Sequence, residues 1–377
     1  MSSSDAARGA HGALRQQRLE RTDALMGELG LDVLVVASTD SIQHRGNVRY
    51  LTNYSTRYGT SLAVIPCGGK PVLLVPAGSF QSGWAHATAW VDDIRPVTDF
   101  AGAASSLLDQ LAGRGATIGL AGFENLPGAI DARITATSPA LRFDQVSAAF
   151  RLMRSVKLED EIAMSTESIR IADAVMRDVS ESLVAGVAES ELFARGAHKA
   201  ALEEAEDCFF LISSGLDNVV MPMAGARALQ DRDILRCSVE PAAAGGMWTQ
   251  TIRVWAVGAP DANVRATHDL CARALEEAAG MLKPGVTGGD MARAAIHVLK
   301  QADGGEIGPL GHGMGLDLVE PPLLRPDDET IVRPGMVVAV HPHLTWRGVS
   351  IWIGDSFLVT DGGAARMSIN PVGLLVL

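Results

Sequence analysis

The chain has 377 residues, 47% of them apolar, and a formal net charge of −12. That length and apolar share exclude a disordered chain and point to two domains, while the acidity disfavours nucleic acid and anionic membrane as partners. Four cysteines (Cys67, Cys208, Cys237, Cys271) without C-x-x-C spacing exclude a disulfide framework or zinc ribbon and fit a reducing cytoplasm.

Residues 1 to about 13 are rich in Ser, Ala, Gly and Arg and read as a flexible tail without an export signal. No stretch reaches the ~18 apolar residues that would span a bilayer. Apolar positions recur at helical spacing from Leu14 to Leu29, and Gly30 ends that helix before the apolar run Leu31 to Val36, a buried strand. Cys67-Gly68-Gly69-Lys70 joins strands Thr60 to Pro66 and Pro71 to Pro76 as a hairpin, and Thr117 to Ala121 adds another strand. Alternating strands and helices predict a small α/β domain over 14–150. All three tyrosines fall between Val48 and Tyr58, alongside Arg49 and Arg57. An arginine among aromatic rings either binds a planar anion or packs a corner, and Arg57 is the candidate carboxylate binder.

A second domain, 151–377, opens at Ser155 with a helix start whose segment Lys157 to Glu161 reads as solvated. A further helix (189–206), strands at Ile234 to Val239 and Thr251 to Val257, and helices at Asn263 to Met281 and Gly289 to Ala302 follow. Strands at Met336 to Pro342, Val349 to Ile353 and Ser356 to Thr360 close the chain, and no fixed repeat appears. Between the last helix and these strands stands Gly311-His312-Gly313-Met314-Gly315. Glycines lacking Cβ admit another backbone or a ligand, so His312 reads either as a site group or as a core histidine in a tight turn. His11, His44, His86, His198, His268 and His297 match no motif and read as solvated, whereas Trp84, Trp90 and Trp255 read as core.

The order of motifs resembles the pita-bread fold family of methionine aminopeptidases, prolidases, aminopeptidase P and creatinase. The resemblance rests on Arg49-Tyr50-Leu51-Thr52-Asn53, Arg154-Ser155-Val156-Lys157, Ser214 to Asn218, Leu229 to Asp233, Gly311 to Leu316, Arg333 to Val337 and Asp355 to Thr360, and covers about residues 14–370. It implies a creatinase-like amino-terminal α/β domain followed by a pita-bread domain. In metal-dependent members two aspartates, one histidine and two glutamates hold a pair of divalent ions, and hard oxygen ligands are what such a pair needs. Carried over one by one, the first aspartate falls at Ser238 or Val239 and the second at Gln250. His312 keeps the histidine, and the glutamates become His341 and Gly354. The positions of the family's catalytic histidines hold Met223 and Val319.

These substitutions lead to the expectation of a metal-independent, creatinase-like C–N hydrolase acting on a small, polar, nitrogen-containing molecule, with no cofactor. His312 or His341 is the expected general base, its ordinary pKa of about 6.5 lying near working pH, and Gln250 orients the substrate. Glu240 or Glu320 is expected to hold a cationic group, Asp355 to lie beside the pocket, Arg253 and His343 to line it, and Trp248, Trp346 and Trp352 to wall it. By the resemblance, a homodimer brings the amino-terminal domain, with Arg57, to its partner's site. Three alternatives stay open: a lyase, isomerase or cyclase using the same groups; a single-zinc hydrolase on His312, His341 and His343; and a non-catalytic binding module.

Overall fold

The computed structural model describes residues 3–217 and 224–376, so Asn218 and the Met223 position lie outside the described residues. The chain divides into two units, Met1–Arg154 and Ser155–Leu377.

The first unit contains α1 (Ser3–Leu29), β1 (Val33–Thr39), α2 (Gly46–Thr52), β2 (Thr60–Pro66), β3 (Val72–Pro76), α3 (Ser79–Thr88) and β4 (Asp93–Val97). After these come α4 (Phe100–Leu111), β5 (Thr117–Ala121), α5 (Gly128–Thr137), β6 (Arg142–Gln145) and α6 (Ser147–Ser155). The first helix begins at Ser3, inside the stretch expected as a tail. One mixed sheet runs β4-β3-β2-β1-β5-β6. β1 lies near its middle because Val33 to Val36 are fully buried, as a strand covered on both faces requires. The hairpin is present, with Gly69 donating its N–H to the Pro66 carbonyl.

The aromatic segment after His44 is a packed corner. All seven residues of α2 are buried, and Asn53 closes it in the left-handed region at φ 61°. The Arg18 guanidinium stacks 4.9 Å over the Tyr50 ring.

The second unit begins with α7 (Glu159–Glu181) and α8 (Glu189–Leu202), then β7 (Asp207–Ser214), β8 (Ile234–Ala242), β9 (Thr251–Ala256), α9 (Ala262–Met281) and α10 (Gly288–Leu299). Short strands complete it: β10 (Glu306–Ile307), β11 (Gly311–Met314), β12 (Glu320–Leu323), β13 (Val337–Val340), β14 (His343–Trp346), β15 (Val349–Trp352), β16 (Asp355–Thr360), β17 (Gly363–Arg366) and β18 (Leu375–Val376). They form three sheets, ordered β18-β9-β8-β7, β12-β11-β13-β16-β17 and β10-β14-β15. One core joins α7 and α8 to the outer face of the β7-β8-β9 sheet through Val175, Val179, Leu192, Ile212, Cys237 and Val239. No helix among the described residues is long and apolar enough to cross a membrane.

The glycine motif lies in β11, squeezed between β12 and β13. A Cβ on Gly311 would stand 2.2 Å from the Ala339 carbonyl oxygen, and one on Gly313 would stand 2.2 Å from that of Pro321. Gly311 also has a φ of +147°. These glycines therefore admit backbone, while Gly315 admits the Glu320 carboxylate, which a Cβ would meet at 2.3 Å.

Two expectations are corrected here. The segment Lys157 to Glu161 is not solvated throughout: Lys157 is 6% exposed and Glu161 is fully buried. Lys157 Nζ donates to Glu320 Oε2 at 2.8 Å and to the Ser155 carbonyl at 2.9 Å, and the Asp317 N–H donates to Glu320 Oε1. His268 is also buried on α9, where Nε2 donates to the Val372 carbonyl. Because removing one member of a buried pair strands the other charge, Lys157→Met is expected to lower the unfolding free energy by roughly 3–5 kcal/mol. Replacing both partners by apolar residues should recover some of that loss, and denaturant titration of the three proteins would show the difference.

Candidate functional site

Strand alternation sorts β8 into two faces. Cys237 and Val239 enter the core against α7 and α8, which leaves Arg236, Ser238 and Glu240 on the other face. Of Ser238 and Val239, Ser238 shares the face that bears Glu240, while Val239 enters the core. Glu240 Oε1 accepts from Gln250 Nε2 at 2.8 Å and from Ser238 Oγ at 2.9 Å. The Gln250 backbone is clamped to β16, its N–H donating to Ser356 Oγ at 2.9 Å and its carbonyl accepting from that hydroxyl at 3.0 Å. Gln250 Oε1 is buried and has no hydrogen-bond partner among the described residues. Burial raises the Glu240 pKa to about 7, against the lowering effect of the bonds from Gln250 and Ser238. Glu240 therefore keeps its proton into the neutral range.

The imidazoles form a second group. His312 on β11 and His341, just past β13, meet edge to face with ring centroids 5.2 Å apart, and His341 meets Trp352 at 5.5 Å. Trp352 Nε1 donates to His341 Nδ1 at 3.2 Å and to the His341 carbonyl at 3.1 Å. Indole can only donate, so this network assigns the neutral His341 proton to Nε2. That N–H is buried without a partner among the described residues. Burial, then the neighbouring His312 and less strongly His343, drives the His341 pKa down to about 3, against the raising effect of the His341 and Pro309 carbonyls. His341 thus presents a fixed hydrogen-bond donor and has no free lone pair with which to act as a base. On His312, Nδ1 donates to the Gly313 carbonyl at 2.9 Å, leaving the Nε2 lone pair, and burial lowers its pKa.

Gly354 is coupled to this arrangement. A Cβ there would lie 2.6 Å from the His341 Cβ and 3.0 Å from the Val340 carbonyl oxygen, so Gly354 lets the two strands approach closely beside His341. The strand does not continue through Pro342: β13 ends at Val340 and β14 starts at His343. His343 Nε2 instead bonds Ser350 Oγ at 2.9 Å, and its ring fills the space left by Gly308. No three-imidazole zinc site is formed among the described residues.

Several candidates are engaged elsewhere. Arg253 and Asp355 pair at 2.8 Å, both buried, and Asp355 also accepts from Arg366 at 2.6 Å. Arg253 further donates to the Gly354 and Asn370 carbonyls, so this network ties β9 to β16 and the carboxyl-terminal segment. Glu320 is held by Lys157 and does not stand as a free acceptor for a cationic ligand. Trp248 is buried, its backbone N–H donating to the Gly315 carbonyl. Trp346 Nε1 donates to the Asp303 carbonyl. Arg57 lies in the first unit, its guanidinium 5.9 Å from the Trp84 ring centroid. Sequence reasoning passed over Lys157 and Arg236. The signal for Arg236 was a charge inside the otherwise apolar strand Ile234 to Val239.

Two outcomes follow from these groups. Glu240 has a folded pKa of about 7 against an ordinary 4.5, so folding takes up a proton between those values. Its contribution to stability is full below about pH 4.5 and is lost as pH rises through 7. Glu240→Gln should therefore gain on the parent chain across that window, by at most roughly 3 kcal/mol, in denaturant titrations at stepped pH. Nitrogen NMR of labelled His341 should show protonated Nε2 and bare Nδ1 from pH 5 to 8, with the preference weakened in Trp352→Phe.

Comparison with known proteins places these groups in a wider setting. Residues 18–156 match the creatinase/prolidase N-terminal domain, and residues 163–361, more than half of the chain, match metallopeptidase family M24. A probable dipeptidase PepE of Mycobacterium tuberculosis is 28% identical over 332 residues, covering 83% of this chain and 84% of that protein. An Xaa-Pro dipeptidase of Pyrococcus horikoshii is 22% identical, covering 94% and 97%. An X-Pro aminopeptidase structure from Thermotoga maritima superposes with a TM-score of 0.85 at 22% identity, covering 95% of this chain and 99% of that one. These findings overturn the expectation of a metal-independent, creatinase-like C–N hydrolase, because the relatives are named dipeptidases and the family is one of metallopeptidases. The family name implies a metal, but the donor set here does not fit a pair of divalent ions. Among the described residues no group of three or more His, Cys, Asp or Glu side chains is placed to hold one, and Glu240 is engaged by Gln250 and Ser238. By its fold, by the order of its elements and by the extent of the match, the chain belongs to metallopeptidase family M24.

Proposed function

We propose that this chain is a hydrolase of short peptides. The relatives named as dipeptidases support the substrate class. One local observation carries the reading: the site offers a buried, unpartnered donor, His341 Nε2–H, and a buried, unpartnered acceptor, Gln250 Oε1. A buried polar group without a partner costs about 1–3 kcal/mol, and a ligand bringing the complementary atom recovers that loss. A peptide group brings both, a carbonyl oxygen for His341 and an N–H for Gln250.

In this arrangement a neutral imidazole polarises the substrate carbonyl from a fixed direction. Because Nδ1 is occupied by Trp352, the His341 donor does not alternate between tautomers. Gln250, held by Ser356 and Glu240, sets the direction of the scissile N–H. Water then attacks the carbonyl carbon as the C–N bond breaks, its proton going to the free Nε2 lone pair of His312 and the leaving nitrogen taking the proton that Glu240 holds up to about neutral pH.

The purified chain is expected to cleave at least one member of a dipeptide panel, assayed both with and without added divalent metal. Gln250→Leu and His341→Phe should each lower kcat/KM by roughly 10–100-fold, the scale of one lost hydrogen bond to the reacting group, with the fold intact by circular dichroism. A folded protein that cleaves no dipeptide in either arm would defeat the reading.

A further inference from the structure

The residue on β8 that precedes Ser238 on the same face is Arg236, which is 1% exposed. Three of its hydrogen bonds go to backbone carbonyls: Nε donates to Ser350 at 2.9 Å, and Nη2 to Gly215 at 2.6 Å and Leu216 at 3.2 Å. These fix the plane of the guanidinium without neutralising it. Nη1, the remaining nitrogen, is buried and has no partner among the described residues. Across the ladder, Arg236 pairs in register with Ser213 on β7. Residues directly opposite on antiparallel strands share a face, with Cβ atoms about 4.5–5.5 Å apart. Ser213 is fully buried, and its hydroxyl also lacks a partner among the described residues. Two unused donors, one of them cationic, therefore stand side by side.

The acids around Arg236 do not account for this. Asp233 is held by both ends of the Arg227 fork at 2.6 and 2.9 Å. Glu189 accepts from the backbone and hydroxyl of Ser214 and from the Gly225 N–H. Asp217 is the remaining neighbour. Burial still outweighs the pull of all three and lowers the Arg236 pKa to about 10, so this cation lacks solvation. Its spacing also fits the reading above. Arg236 stands on the same face as Ser238 and Glu240, four residues or about 13 Å along the strand from Glu240, which lies opposite Gln250, and the long Arg236 and Gln250 side chains span much of that distance. A peptide group at Gln250 and His341 would place a terminal carboxylate about one residue farther on, within reach of a long side chain.

Resting on the hydrolase reading, we propose that Arg236 and Ser213 form the point that receives the free α-carboxylate of a short peptide. The pair sets specificity for peptides ending near the cleaved bond. Planar, charge-assisted recognition of a carboxylate is what a guanidinium with a fixed plane does well.

Binding of an N-acetyl dipeptide acid and of the same compound as its carboxamide, measured by calorimetry and by side-chain nitrogen NMR of labelled arginine, tests the proposal. The parent chain should bind the acid at least about 10-fold more tightly, the scale of one hydrogen bond to a charged group, and the Arg236 signal should move with the acid alone. Ser213→Ala should weaken acid binding by several-fold and leave the amide unchanged, and Arg236→Met should bring the acid to the amide's affinity. Equal affinity for the two compounds in the parent chain, or no binding of the acid, would overturn the proposal. Should Arg236→Met fail to fold, the parent comparison and Ser213→Ala remain decisive. A chain that prefers the acid yet cleaves nothing would defeat the hydrolase reading and leave the carboxylate point standing, whereas one that cleaves acid and amide equally well would do the reverse.

Discussion

The close approach of β11 to the strands on both sides of it is the constraint on which the second unit depends. Gly311 and Gly313 have no Cβ because the carbonyl oxygens of Ala339 and Pro321 already occupy that space. Drawing β12 inward places Glu320 under Gly315 and against Lys157, and drawing β13 inward leads the chain out at His341. The histidine between the glycines is thereby delivered to a rigid position opposite a second imidazole. A residue larger than glycine at 311 or 313 would force the ladders on either side of β11 apart, so the motif is a packing requirement first and a chemical one only through what it positions.

The buried polar groups of this unit fall into two kinds, and the division is informative. Lys157 with Glu320 is a buried pair, and Arg253 with Asp355 and Arg366 a charged triad in which only one buried atom, Arg253 Nε, finds no partner among the described residues. Such pairs do little net work for stability, since desolvation offsets most of their attraction, but they fix the register of the segments they join. His341, Gln250, Arg236 and Ser213 each keep an atom that meets nothing among the described residues. Native interiors leave few such atoms, and a row of them on facing elements marks where a ligand is expected to complete the bonding.

Much of the architecture was legible in the sequence because it follows from local rules. The apolar run Leu31 to Val36 had to be covered on both faces, the Cys67 to Lys70 turn had to make a hairpin, and the helical spacing from Ile162 to Val179 had to face a core. Pairings over long sequence separations were not legible. Nothing local distinguishes Lys157 from a solvated helix start until Glu320, far along the chain, arrives beneath it. Arg253 and Asp355 were read as pocket groups from their positions in a motif, yet strand alternation turns them toward each other. For His341, the residue type was legible but its role was not. A tautomer is decided by what the other ring nitrogen touches, and that contact is Trp352 on another strand.

The buried side chains around His341 and Gln250 also behave as a set. Gly354 lets its strand approach the backbone at Val340 and His341, and the His341 proton is placed because Trp352 donates to the ring. Gln250 turns its amide toward Glu240, whose proton is retained because the carboxyl is fully buried. A side chain at 354 would strike the Cβ of His341 and the Val340 carbonyl. Each residue is explained by its neighbours in space: a donor on one ring or amide fixes the proton or the orientation of the next.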